Sequence, residues 1–216
     1  MIAVVDYHKG NLQSVARGLA YVGAEVCITD DASVLKKASA IVLPGVGAFK
    51  DAATSLENLG LSSVILDCVH AAVPFLGICI GMHLMFEEGD EGYNPASDAA
   101  RPQGLGLFPG RVSALPRQDE AGKVYKIPHV GWNSIEPYAA ETFQSPLLDG
   151  IDAGEFFYFT HSFAAPLSAA TIAQTTHANT FSSAVQWKDW AFGLQFHPEK
   201  SSDAGMHVLK NFVSLV

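Results

Sequence analysis

The sequence predicts a single α/β domain over residues 1–216, with a mostly parallel sheet, helices on both faces and an antiparallel extension. Three observations point there. Short apolar runs alternate with amphipathic stretches from Ile2 to Leu84, the rhythm of βαβ units. The run leading into Cys79 is apolar, as a central strand buried on both faces must be. After Gly106 the texture changes to short strands separated by Pro, Gly and Asn turns, which suits antiparallel pairing.

In order, Ile2 to Asp6 reads as a strand, followed by the loop Tyr7-His8-Lys9-Gly10-Asn11 and a helix from Leu12 to Val22. Asn11 supplies a good N-cap and Gly23 a good stop. Ala24 to Thr29 is a second strand, Ser33 to Ala38 a short helix and Ala40 to Leu43 a third strand. The turn Pro44-Gly45-Val46-Gly47 then lies at a strand's carboxyl end, where open parallel sheets bind ligands. Helices over 49–58 and 61–72 lead to a fourth, central strand at Pro74 to Ile78. Glu87 to Pro102 is polar and rich in Gly, Asp and Ala, and is expected to be a mobile surface loop. Further strands are expected at 106–114, 123–127, 133–136, 156–160, 171–176, 181–186 and 191–196, with a final helix over 203–215.

Composition narrows the partners. Hydrophobic residues make up 49% and charged residues 16% of the chain, which excludes a disordered chain. A net charge of -9 with no basic cluster argues against nucleic acid. No basic leader precedes the first strand and no apolar run is long enough for a bilayer, so the expectation is a cytoplasmic protein without a membrane partner. Cys27, Cys68 and Cys79 are widely spaced and form no Cys-x-x-Cys pair, which argues against a disulfide framework or a metal site.

The most informative stretch is Pro74-Phe75-Leu76-Gly77-Ile78-Cys79-Ile80-Gly81-Met82-His83-Leu84. An apolar strand runs into Gly-x-Cys-x-Gly and then into a short amphipathic helix, the layout of a nucleophile elbow. Glycines two residues either side relieve the crowding around a strained nucleophile. The free N-H groups of the helix start favour a thiolate over a thiol, lowering a pKa of about 8.5. The competing reading of this motif alone is a buried core cysteine. A nucleophile needs a base and a group to orient it. His83, one turn after Cys79, is one candidate base. His197 is the other: it ends a strand, and Pro198 sets Glu199 two residues on to orient the imidazole. His129 and His161 fall in aromatic, Gly-rich turns and are candidate pocket residues. His8, His70, His177 and His207 sit in loops or on helix faces.

Gly77-Ile78-Cys79-Ile80-Gly81-Met82, Pro128-His129-Val130-Gly131-Trp132-Asn133 and Gln195-Phe196-His197-Pro198-Glu199-Lys200-Ser201 together resemble the class I glutamine amidotransferases, an α/β fold of flavodoxin-like type. The Asp6-Tyr7 start with Gly10-Asn11, Pro44 to Gly47 and His161-Ser162-Phe163 match as well. Within that family the Pro-His-x-Gly-Trp-Asn segment is similar to glutaminase subunits that feed ammonia to a (β/α)8 cyclase making imidazole glycerol phosphate. The resemblance runs from end to end.

It implies that Cys79 attacks the side-chain amide of glutamine, with His197 as acid and base and Glu199 orienting it. It also implies an oxyanion hole from the N-H groups of Ile80 and Val46, the latter after a peptide reorientation triggered through the partner. Gly47, His83, Glu91, Ser162 and Phe163 would hold glutamine, and Asn11, Trp132 and Lys200 would lie near the cyclase. No cofactor or metal is implied. Two positions depart from the family: His83 replaces a Gln, and His8-Lys9 stands where a Gly is usual. Alternatives are a glutaminase feeding another acceptor, such as a sugar, and a non-catalytic binding module.

Overall fold

A computed structural model describes residues 1–8 and 11–216; Lys9 and Gly10, with their places in the two loop motifs above, lie outside the described residues. The chain runs through β1 (Ile2–Val5), α1 (Leu12–Tyr21), β2 (Val26–Thr29), α2 (Ala32–Leu35), β3 (Ala40–Leu43), α3 (Phe49–Asn58), α4 (Leu61–His70), β4 (Phe75–Ile78) and one helical turn, α5 (Ile80–His83). The second half contains β5 (Phe86–Gly89), β6 (Phe108–Ala114), β7 (His129–Ser134), β8 (Glu136–Pro137), β9 (Phe156–His161) and β10 (Phe163–Ala164). It closes with β11 (Thr171–His177), β12 (Asn179–Trp187), β13 (Ala191–Leu194) and α6 (Ser202–Ser214).

The main sheet has the order β2-β1-β3-β4-β13-β12-β11-β8. Pairing is parallel from β2 to β13 and antiparallel beyond it. The period of two along each strand sorts side chains onto two cores. Ala3, Val5, Ile41, Leu43 and Phe75 face one core with α2, α3 and α4. Val4, Val42, Leu76 and Ile78 face the other with α1 and α6. The helices are built for this: α3 buries Phe49, Ala52 and Leu56, and α6 buries Val208, Leu209 and Phe212.

Several local expectations change. Asn11 stands at the N-cap of α1, but its side chain makes no capping hydrogen bond. Among the described residues, 123–127 form no strand, and the ladder contact there is an isolated bridge between Gln118 and Val124. The segment read as turn around His129 is a strand, β7, paired with β9 so that His129 lies opposite His161. The stretch after the elbow begins as β5 and is then tethered, by Lys50 Nζ to Asp98 at 2.7 Å and Arg101 Nε to Asp90 at 2.8 Å. Surface ion pairs of this kind stabilise little individually, but these two span the loop. His8 has a φ of 63°, in the left-handed region that favours glycine. Its N-H donates to Asp6 Oδ1 at 2.8 Å, a local bond that offsets the strain.

Gly77 and Gly81 permit the close approach of elbow and sheet. A Cβ on Gly81 would overlap the Leu43 carbonyl oxygen of β3, and one on Gly77 would meet the Gly81 backbone. Because the obstacle is sheet backbone, Gly81→Ala is expected to cost about 1–3 kcal/mol or more, read as a lower urea midpoint.

Candidate active site

The order β1-β3-β4-β13 puts four carboxyl ends side by side, and the chain leaves them through Tyr7, Pro44 to Gly47, Cys79 and Gln195 to His197. The candidate nucleophile, the candidate oxyanion turn and the candidate base are thereby gathered from positions far apart in sequence.

Cys79 has φ 54° and ψ -106°, a conformation that costs free energy for a residue with a Cβ. The surroundings enforce it: the Cys79 N-H donates to the Leu194 carbonyl of β13 at 2.7 Å, and the chain turns at once into α5. That helix is not amphipathic as expected; Ile80, Gly81, Met82 and His83 are all buried. The side chain of Cys79 nevertheless lines a cavity of about 430 Å³.

His197 sits behind Cys79 and is nearly sealed from solvent. Its Nδ1 donates to Glu199 Oε1 at 2.9 Å, which leaves Nε2 as the free ring nitrogen, with no hydrogen-bond partner among the described residues. Burial opposes a charge on this ring, but the neighbouring Cys79 and Glu199 outweigh it and raise the His197 pKa to about 9. The ring is thus held as a proton donor beside the sulfur. Ser201 fixes its backbone: Ser201 Oγ donates to the His197 carbonyl at 2.6 Å and accepts the Tyr158 N-H at 3.0 Å. No sequence signal separated this brace from an ordinary helix-cap serine.

The cavity in front of Cys79 is lined by Val46, Gly47, Ile80, His83, Glu91, Ser162 and Phe163 among others, which brings together every residue expected at the oxyanion hole or around glutamine. His197 and Glu199 do not line it. Glu91 is anchored through Oε2, which accepts the Phe49 N-H at 3.2 Å, and burial raises its pKa despite that bond.

The family model for class-I glutamine amidotransferases matches residues 3–215. The chain belongs to the class-I glutamine amidotransferase family. The amidotransferase is 43% identical to the imidazole glycerol phosphate synthase subunit HisH of Syntrophotalea carbinolica, over 98% of each chain. It is 41% identical to the HisH subunit of Archaeoglobus fulgidus, over 100% of this chain and 99% of the relative. Among solved structures, a glutamine amidotransferase superposes with a TM-score of 0.70 at 17% identity, covering 99% of this chain and 97% of the other, and shares the fold.

Two histidine arrangements in the amidotransferase lie beyond what spacing alone revealed. His83 Nε2 bonds to Gln195 Oε1 at 2.7 Å, and Gln195 Nε2 points to Cys79 Sγ at 3.8 Å. All three side chains are buried, and burial lowers the His83 pKa to about 4 despite the bond to Gln195. A neutral His83 with Nε2 committed to Gln195 is poorly placed to deprotonate the thiol, which favours His197 of the two candidate bases. Gln195 was not singled out from sequence because a buried strand-end amide has no distinguishing pattern. The second arrangement joins His161 Nδ1 to the Phe163 carbonyl at 2.8 Å and His129 Nδ1 to His161 Nε2 at 2.9 Å. It buttresses the Ser162-Phe163 wall of the cavity with two imidazoles whose pKa values burial depresses.

The three residues expected near a partner lie outside the cavity. Trp132 and Lys200 flank Tyr158, with ring centroids of Trp132 and Tyr158 6.2 Å apart and Lys200 Nζ 5.9 Å from the Tyr158 ring. Val130, Trp132 and Phe156 are large apolar side chains exposed on the β7-β9 pair. Asn11 is partly exposed at the start of α1. Among the described residues no helix is long and apolar enough to cross a membrane.

Proposed function

We propose that this chain is the glutaminase subunit of an imidazole glycerol phosphate synthase, with Cys79, His197 and Glu199 as its catalytic residues. The observation that carries the reading is the His197 ring, fixed by Glu199 and facing Cys79 beside a cavity able to take an amino acid. The full-length likeness to HisH subunits supplies the biosynthetic context.

The chemistry follows from the geometry. The Cys79 thiolate adds to the side-chain amide carbon of glutamine, and the carbonyl oxygen takes the negative charge. The Ile80 N-H, first in α5 and free of an intrahelical partner, is one donor to that oxygen; the Val46 N-H is the other. Collapse breaks the C-N bond as the leaving nitrogen takes a proton from His197 Nε2, giving ammonia and a γ-glutamyl thioester. The neutral imidazole then takes a proton from water, hydroxide adds to the thioester, and glutamate leaves as the thiolate is restored. No step calls for a metal or cofactor.

Glutamine is held at its other end by Gly47, His83, Glu91, Ser162 and Phe163. Glu91 keeps one carboxylate oxygen for the α-ammonium group. Because His83 Nε2 donates to Gln195, its buried Nδ1 is an acceptor with no partner among the described residues, suited to an N-H of the substrate. The partner is a (β/α)8 cyclase seated over Asn11, Trp132, Lys200 and the exposed apolar side chains of β7 and β9, and it receives the ammonia. The test is to add a cyclase subunit and its ribulose-phosphate substrate to the purified chain. Orienting one oxyanion donor is a factor on the order of 10²–10³, and stimulation of glutamine hydrolysis of that size is expected. No stimulation contradicts the biosynthetic assignment and favours a glutaminase serving another acceptor.

A further inference from the structure

The Tyr7 hydroxyl is fully buried and has no hydrogen-bond partner among the described residues. A phenol left this way normally finds a partner, and an orphaned one weakens the fold, so its retention calls for an explanation. Its surroundings supply one. A Cβ added to Gly45 would overlap this hydroxyl oxygen and would stand 3.2 Å from Ile80 Cβ. The hydroxyl therefore lies in the wedge between the Pro44 to Gly47 turn and α5, the two segments that carry the oxyanion donors. Burial, with the nearby Cys79, raises the phenol pKa, so the group is a neutral donor.

Its position relative to the cavity is specific. Val46 and Gly47 line the cavity, whereas Tyr7 and Gly45 are buried behind it. A peptide plane presents its N-H and its C=O on opposite sides. When the Val46 N-H faces Cys79, the Gly45 carbonyl of the same peptide must face away from the cavity, toward the side that Tyr7 occupies. The hydroxyl has no partner among the described residues, so that carbonyl is not on it here. Glycines at 45 and 47 leave the Gly45-Val46 peptide free to rotate, and no main-chain bond from the turn's own N-H groups opposes it among the described residues.

We infer that Tyr7 is a positioning residue whose hydroxyl donates to the Gly45 carbonyl when the Val46 N-H turns toward Cys79, latching the oxyanion hole in its working state. This rests on the reading of Cys79 as nucleophile given above. The backbone around the tyrosine is fixed for the role: the Tyr7 carbonyl accepts Ser55 Oγ at 2.5 Å, and the preceding Asp6 N-H donates to Thr29 at 2.8 Å.

Tyr7→Phe keeps the ring and removes the donor. The probe is glutamate γ-semialdehyde, to whose aldehyde carbon the Cys79 thiolate adds, placing an oxyanion in the hole. Protection of Cys79 against iodoacetamide measures its binding. In Tyr7→Phe, protection is expected to require about 2- to 13-fold more aldehyde, the scale of one net hydrogen bond, while the alkylation rate without aldehyde stays the same. The kcat for glutamine should fall by a similar factor with KM little changed. A merely structural hydroxyl would leave both unchanged or improve stability, and equal protection in variant and wild type would overturn the latch. Gly45→Ala adds an independent arm: its defect in protection is expected to be partly relieved when combined with Tyr7→Phe, because the overlap is with the hydroxyl. Failure of the aldehyde to protect Cys79 in the wild type would instead contradict Cys79 as nucleophile.

Discussion

His197→Asn lowers kcat for glutamine hydrolysis by on the order of 10²–10⁴, the range for removing a general acid and base. The size follows from the two proton transfers assigned to one ring, neither of which another group near Cys79 is placed to make. His83 is bonded to Gln195 and is held neutral by burial, and the Gln195 amide does not ionise in the working pH range. Asn preserves a polar side chain in the pocket but offers no titratable nitrogen. Steady-state assays of ammonia release check the loss. A variant within threefold of wild type would reopen the assignment of the base.

Glu199→Gln is expected to reduce kcat by at least tenfold and to change its pH dependence in a defined direction. The leaving nitrogen requires a protonated His197, so activity falls as pH rises through the His197 pKa, near 9 in this environment. Glu199 is one of the two neighbours that hold that value up against burial. Removing its charge lowers the pKa, and the alkaline limb of the kcat profile moves to lower pH. The same linkage acts on stability. A histidine whose folded pKa lies above its unfolded value of 6.5 adds stability below that value and loses it as pH rises toward about 9. The stability difference between wild type and Glu199→Gln should therefore shrink over that interval, as denaturation midpoints measured across it will show. An alkaline limb that stays in place would mean that Glu199 does not set the ring's charge.

Much of this arrangement was readable from the residues, for physical reasons. β1, β3 and β4 are apolar and fully buried because both of their faces are covered, and that is a strong local signal for a strand. Gly77 and Gly81 announced the elbow because close backbone contact on both sides leaves no room for a Cβ. Other features are products of tertiary pairing. The stretch around His129 contains Gly131 at φ 135° and follows a proline, which reads as a turn ahead of the strand expected at 133–136; pairing with β9 extends that strand back to His129. Lys123 to Ile127 has strand-like residues but meets only the short hairpin arm at Arg117 to Asp119 through two main-chain bonds and one bridge, among the described residues. The loop after β5 looked free because its ion partner Lys50 lies in a distant helix. At the site, His197 and Glu199 stood out through their spacing across Pro198. Gln195 and Ser201 meet their partners only through the fold, and local sequence carries no mark of them.

The most direct test is to mix the purified chain with glutamine, quench in acid within the first turnovers and examine the peptide carrying Cys79 by mass spectrometry. The account predicts one γ-glutamyl group on Cys79, which accumulates when water attack is slowed and is absent in Cys79→Ala, a variant that releases no ammonia. Ammonia release by Cys79→Ala, or a γ-glutamyl group attached to any other residue, would contradict it.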